Sequence, residues 1–250
     1  MSTLRNIEFV TTVADTRALP PAHGAEVAFV GRSNAGKSSA INALAQHKRM
    51  AFVSKTPGRT QHINFFRVGE DRYLVDLPGY GYAAVPAAAR AQWNELIGGY
   101  VQTRSCLRGV VLIMDARRPL TELDRQLFTW LEPTGTPVHV LLSKSDKLNH
   151  QQAGATLRSV DAVLQRVYAN SSVQLFSSTR KIGIVEAAGK IQKWLATAEI
   201  KNPRLKGSKT GGQAPIKIRA PAQGGEAGDD ETPSENKTNL HLISSPPTAQ

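Results

Sequence analysis

The stretch Val27–Leu44 reads VAFVGRSNAGKSSAINAL. Val27–Val30 is a short all-apolar run, the pattern of a parallel strand covered on both faces. Gly31, Gly36, Lys37 and Ser38 then satisfy G-x-x-x-x-G-K-[ST], and Lys37–Ala45 follows as a helix. Gly31 leaves the strand, and Gly36 lets the backbone approach phosphate oxygens with no Cβ in the way. The amides of the loop form an anion nest at a helix N-terminus. In this pattern Lys37 reaches the β- and γ-phosphates and the Ser38 hydroxyl ligates Mg²⁺. At ordinary Gly, Lys, Ser and Thr usage, a chance match arises in roughly 1% of chains this long. The strand before and the helix after lower that further, so the ligand class is a nucleoside di- or triphosphate with Mg²⁺.

Working outward, residues 48–60 predict an irregular loop. His62–Val68 and Arg72–Asp76 predict two strands joined by Gly69-Glu70-Asp71, a hairpin signal. Pro86 opens a helix to about Arg104, with Trp93, Leu96, Ile97 and Tyr100 at helical spacing. Strands over Val110–Met114, Pro137–Leu142 and Val173–Phe176 then alternate with helices over Thr121–Leu131, residues 149–168 and Ile184–Leu195. This alternation predicts a three-layer α/β domain, a mostly parallel six-stranded sheet with one antiparallel edge strand. The domain spans residues 25–198. Residues 1–24 form an N-terminal arm in which Ile7, Phe9 and Val10 either add a short strand or pack on the domain. Residues 199–250 read as a disordered tail, basic from Lys201 to Arg219 and acidic over Glu226–Glu235.

The chain has 250 residues, 40% of them hydrophobic, enough for one sizeable core. A single cysteine, Cys106, excludes an intramolecular disulfide and fits a reducing compartment. The six histidines show no metal spacing, so a zinc site is not expected. No signal segment and no bilayer-length apolar run is visible, so the expectation is a cytoplasmic, monomeric protein without a membrane partner. The net charge is +11, and the tail from Glu199 holds seven basic and six acidic residues, leaving +10 on residues 1–198. A basic folded body points to a polyanionic partner such as RNA.

A phosphate loop alone does not separate ATPases, kinases and GTPases. Asp76-Leu77-Pro78-Gly79 follows a strand as D-x-x-G, with the Asp near Mg²⁺ through water and the Gly amide near the γ-phosphate. Ser143-Lys144-Ser145-Asp146 follows another strand. A carboxylate there accepts two hydrogen bonds from the guanine N1–H and exocyclic amine, a donor pair that adenine lacks. Phe176-Ser177-Ser178 follows the last strand, where backbone amides meet the guanine O6. Each tetrapeptide is weak alone. Together, in this order and each at a strand's C-terminal end, they lie where ligands bind in open α/β sheets. An ATP-dependent kinase would also need an acceptor site, and the sequence displays none.

GRSNAGKSS, KTPGRTQHINFF, DLPGYGYA, DARRPLTELD and the SKSD and FSS pair together resemble the EngB (YihA/YsxC) family of bacterial GTPases. That family belongs to the TrmE–Era–EngA–EngB branch of P-loop GTPases, and the likeness covers about residues 5–197. The resemblance implies a Ras-like G domain that binds GTP and GDP with Mg²⁺. It also implies a role in assembling the large ribosomal subunit, with rRNA and ribosomal proteins as partners and links to cell division and septation. Carried over residue by residue, Gly31, Arg32, Ser33, Asn34, Ala35, Gly36, Lys37 and Ser38 form the phosphate loop. Gly58, Arg59, Thr60, Gln61 and His62 form switch I, with Thr60 as a second protein ligand to Mg²⁺. Asp76–Gly79 opens switch II, Ser143–Asp146 reads guanine, and Phe176, Ser177 and Ser178 complete the base site.

Two departures stand out. The guanine motif begins with Ser143 where relatives carry Asn or Thr, which shortens its reach and predicts modest base affinity. Tyr80 follows Gly79 where Ras-like enzymes place a water-orienting Gln, which predicts slow intrinsic hydrolysis. In related GTPases an Asn at the position of Asn34 helps bind K⁺, which can act like an arginine finger. Asn34 also has a plain reading, a residue that tolerates the loop's turn.

Overall fold

In the computed structural model the described residues are 4, 7–46, 62–81 and 87–197. They form seven strands: β1 (Glu8–Val13), β2 (Ala25–Gly31), β3 (Ile63–Gly69), β4 (Arg72–Asp76), β5 (Leu107–Asp115), β6 (Val138–Ser143) and β7 (Ser171–Leu175). Five α-helices accompany them: α1 (Lys37–Ala45), α2 (Ala87–Thr103), α3 (Glu122–Leu131), α4 (His150–Val167) and α5 (Ile184–Ala196).

Side-chain alternation sets the layers. Along β2, Val27 and Phe29 point to one face while Ala28 and Val30 point to the other. Along β5, Val111 and Ile113 oppose Val110 and Leu112 in the same way. Both faces of the central strands are therefore apolar and both need cover. On the Val27 face, α1 and α5 supply it through Ile41, Leu44, Ile191 and Leu195. On the opposite face, α2, α3 and α4 supply it through Ile97, Leu127, Phe128, Val160 and Leu164. Each such side chain taken out of water contributes about 1.5–3 kcal/mol.

The strand order is β1-β3-β4-β2-β5-β6-β7. The pairs β2–β4, β2–β5, β5–β6 and β6–β7 are parallel. β3 pairs antiparallel with both β4 and β1, so it runs against the other strands. The three-layer, mostly parallel α/β class expected from the sequence stands. The strand count is seven rather than six, because the N-terminal arm contributes β1 and takes the edge outside β3. Its burial pattern explains why the sequence left this open. Phe9 and Val10 are exposed and Val13 alone is fully buried, so no clean alternation marks the strand.

Loop chemistry fixes the helix starts. Thr121 and Asp124 close a capping box on α3, and Asn149 and Gln152 close one on α4. α1 differs. Its N-cap is Gly36, which offers no side-chain bond to the first turn. Trp130 and Trp194 pack against the two cores, as the helical spacing predicts.

Candidate nucleotide-binding site

β2 ends at Gly31, where an added Cβ would lie 2.5 Å from the Ile113 carbonyl oxygen. Only glycine lets the strand leave the sheet that close to β5. The loop then turns through two left-handed residues, Asn34 (φ +62°) and Gly36 (φ +99°). Asn tolerates this region better than other side chains, which accounts for Asn34 on backbone grounds alone. With no side-chain cap at Gly36, the first-turn amides of α1 are available to an anion, and the helix dipole adds positive potential there.

Lys37 opens α1 and its ammonium pairs with the Asp76 carboxylate at the end of β4, both groups buried. The next loop lies against the phosphate loop. A Cβ on Gly79 would sit 3.6 Å from the Gly31 carbonyl oxygen and from the Ser33 backbone. The Ser33 amide donates to the Tyr80 carbonyl at 2.6 Å, and the Tyr80 amide donates to the Gly31 carbonyl at 3.3 Å. An isolated parallel bridge between Arg32 and Tyr80 thus ties the two loops beyond the ends of β2 and β4. The Tyr80 side chain turns inward, and its hydroxyl donates to the buried Asp124 carboxylate of α3. Burial first, and Asp124 second, push its phenol well above the usual pKa. Tyr80 thus anchors the loop after β4 to α3.

The guanine motif is braced rather than free. The Ser143 hydroxyl, at the end of β6, is shared between the carbonyls of Ala35 and Met114. It therefore holds the phosphate loop onto the sheet and does not reach toward a base. Lys144 adopts φ +56° and spans the same gap, its ammonium 2.5 Å from the Asn34 carbonyl and 3.0 Å from Asp115 Oδ2. Burial raises the Asp115 pKa, but the hydrogen bonds from Arg117 and Lys144 outweigh it and hold that carboxyl below its ordinary range. The Ser145 hydroxyl donates to the Phe176 carbonyl at 3.0 Å. Asp146 Oδ1 accepts from the Ser177 hydroxyl at 2.6 Å, which lowers the Asp146 pKa and keeps it ionised as a hydrogen-bond acceptor.

The structure therefore brings Gly31–Ser38, Asp76–Gly79, Ser143–Asp146 and Ser177 to one edge of the sheet, at the C-terminal ends of β2, β4, β6 and β7. Two expected residues contribute backbone only, since the Phe176 ring and the Leu77 side chain are buried in the core clusters. Ser178 is half-buried beside Ser177, and His62 is exposed just before β3. The switch I residues Gly58, Arg59, Thr60 and Gln61 lie outside the described residues. Two acids given no role of their own from the sequence brace the site, Asp115 under Lys144 and Asp124 under Tyr80. Both stand in the quoted stretch DARRPLTELD, as its first and last residues. What the sequence did not show is their partners, which lie far along the chain.

The oxygen donors present suit a hard divalent cation. Ser38 supplies a hydroxyl and Asp76 a carboxylate whose side-chain partner among the described residues is Lys37. A site of few protein oxygens completed by phosphates and water is the habit of Mg²⁺. Among the described residues no group of three His, Cys, Asp or Glu side chains forms a metal cage. No helix among them is long and apolar enough to cross a membrane.

Comparison with known proteins agrees with this geometry. Residues 26–144 match the 50S ribosome-binding GTPase family. The chain is 56% identical over 199 residues to the probable GTP-binding protein EngB of Azoarcus sp. (strain BH72), covering 79% of this chain and 95% of that protein. It is 58% identical over 193 residues to the protein of that name from Thiobacillus denitrificans, covering 77% of this chain and 93% of that one. Among solved structures, a probable GTP-binding protein EngB superimposes with a TM-score of 0.55 at 20% identity, over 68% of this chain and 98% of that one. Aquifex aeolicus Era bound to GDP and AlF₄⁻ also reaches 0.55, at 18% identity over 71% of this chain and 58% of that one. At such identities the structures speak for the fold.

Proposed function

The chain belongs to the EngB family of GTP-binding proteins, and from that premise we propose that it is a slow GTPase acting as a nucleotide switch in assembly of the large ribosomal subunit. The observation that carries this is the convergence of Lys37, Asp76 and Asp146 from three different strand ends, with Lys144 bracing the loops between them. Lys37 would leave Asp76 to meet the β- and γ-phosphates, and Ser38 and the freed Asp76 carboxylate are the residues that would hold Mg²⁺. Mg²⁺, when bound there with Thr60 as a further ligand, neutralises charge on the phosphate oxygens. Asp146 selects guanine through its N1–H and amine. Thr60 and the Gly79 amide sense the γ-phosphate and release on hydrolysis.

The inward Tyr80 supports slow turnover, because the residue after Gly79 anchors the loop and orients no water. It equally favours a second reading, a nucleotide-stabilised scaffold with negligible turnover. K⁺ near Asn34 would supply the missing charge. The name of the matched family and the +10 body support pre-ribosomal RNA and protein as partners. A cytoplasmic monomer linked to cell division and septation completes the proposal and rests on the family resemblance alone. The domain division at residues 25–198, with a disordered tail beyond, belongs to the same reading.

The test is co-sedimentation with large-subunit particles in GTP-analogue and GDP forms, alongside multiple-turnover phosphate release with and without particles. Nucleotide-dependent binding with particle-stimulated release is expected. Equal binding in both forms overturns the switch, and absent release leaves the scaffold.

A further inference from the structure

A cleft shares the phosphate loop and Lys144 with the candidate nucleotide site. It lies between that loop, the turn after β5 and the start of α3, with a volume of about 470 Å³. Arg32, Arg117, Arg118 and Lys144 line it, against two carboxylates, Asp115 and Asp124. Both carboxylates are already engaged. Asp115 takes Arg117 Nε at 2.9 Å, Arg117 Nη2 at 2.7 Å and Lys144 at 3.0 Å. Asp124 takes the Tyr80 hydroxyl, and the Thr121 amide and hydroxyl at 2.8 Å. Among the described residues, the exposed Arg32 and Arg118 side chains make no hydrogen bond or ion pair. The cleft lining therefore carries four basic side chains against two carboxylates, an excess of positive charge.

We propose that this cleft docks the phosphodiester backbone of RNA. Guanidinium forks match phosphate oxygens bidentately. The described lining holds no aromatic side chain, so a base has nothing to stack on there. Backbone contact without base readout is the mode such a lining supports. The folded body's +10 extends the attraction beyond the cleft, as a long polyanion requires and a short acidic peptide does not. The cleft's walls also belong to the nucleotide loops: Lys144 holds the Asn34 carbonyl, and Asp124 holds Tyr80 next to Gly79. An RNA strand seated here therefore lies against both the phosphate loop and the anchor of switch II. This rests on the proposed ribosomal role and gives it a surface.

The experiment uses the full chain and a short fluorescein-labelled RNA hairpin titrated at several salt concentrations. Arg118→Glu is expected to weaken binding about tenfold, and Arg118→Gln to lower the salt slope by about 0.7–0.9 for one lost phosphate contact. GDP affinity of both variants stays unchanged, which shows that they fold. Unchanged RNA affinity and slope in both variants overturn the cleft. If nucleotide-dependent co-sedimentation then persists, the proposed function stands without it. If co-sedimentation is insensitive to nucleotide while Arg118→Glu still loses RNA, the cleft stands and the switch falls. A polyglutamate peptide that displaces the hairpin as well as unlabelled RNA does overturns the RNA assignment in favour of an acidic protein segment.

Discussion

Two buried ion pairs bracket β2, and they behave as opposites. At the phosphate end, Lys37 and Asp76 are 9% and 6% exposed; at the other end, Arg104 and Glu26 are 6% and 2% exposed. Depth is therefore nearly equal, and what differs is saturation. Glu26 accepts from the Tyr100 hydroxyl at 2.7 Å and from Arg104 through Nε at 2.9 Å and Nη2 at 2.5 Å, while Arg104 also donates to the Pro20 carbonyl at 2.6 Å. Asp76 has Lys37 as its side-chain partner among the described residues, and Lys37 has Asp76. A saturated pair is fixed architecture, joining β2, α2 and the N-terminal arm. The pair at the glycine-rich loop has no third side chain bound to it among the described residues, and under the proposed function it would part for a phosphate and a cation.

The largest expected effect breaks the saturated pair. Arg104→Ala strands Glu26 in the core and lowers unfolding free energy by about 3–5 kcal/mol. Urea denaturation checks this, and a loss below about 1 kcal/mol would show that the two ends are alike. Next, Lys37→Ala is expected to weaken GTP binding about a hundredfold, near 2.8 kcal/mol, with a smaller stability loss than Arg104→Ala. Binding retained within a factor of about three would remove Lys37 from the site. Asp146→Asn should weaken GTP binding about tenfold and admit xanthine nucleotides in competition assays; intact guanine preference would sink the base assignment. For Asn34, glycine is the informative replacement, since it keeps φ +62° without strain and removes only the side chain. If K⁺ binds there, Asn34→Gly loses a severalfold K⁺-over-Na⁺ stimulation of phosphate release; undiminished stimulation refutes the idea.

The smallest effect sharpens the saturated end through pH. Burial, then Glu26, pushes the Cys106 thiol up to about 12 from 9.0. A thiol raised in the folded state contributes stability that is complete below about pH 9 and falls as pH rises toward 12. Thiol labelling of the folded protein near pH 8 should accordingly be far slower than of the urea-unfolded chain. Equal rates would mean that this end is open.

The same contrast explains what was legible from the sequence. Lys37, Asp76 and Asp146 sit at strand ends within short local patterns, so spacing alone located them. Glu26 sits one residue before the apolar run of β2, and its partners, Tyr100 in α2 and Arg104 just after it, come from far along the chain; nothing local marks it as buried. Tyr80 with Asp124, and Ser143 with Ala35, are likewise tertiary contacts. Ser143 looked like a weakened base contact because its motif position was all the sequence offered, whereas its hydroxyl is occupied with the phosphate loop. The Phe176 ring went to the core because the first residue after β7 turns toward the Val27 face of the sheet and joins its apolar cluster.

β1 is short, its register slips between Phe9 and Thr11, and it pairs on one side only. A kinked edge is a poor template for another strand. Without it, the sheet would end at β3 and leave that strand's outer hydrogen-bonding groups open. The arm thus exchanges an open rim for a kinked one, which by its geometry is harder for a further strand to extend.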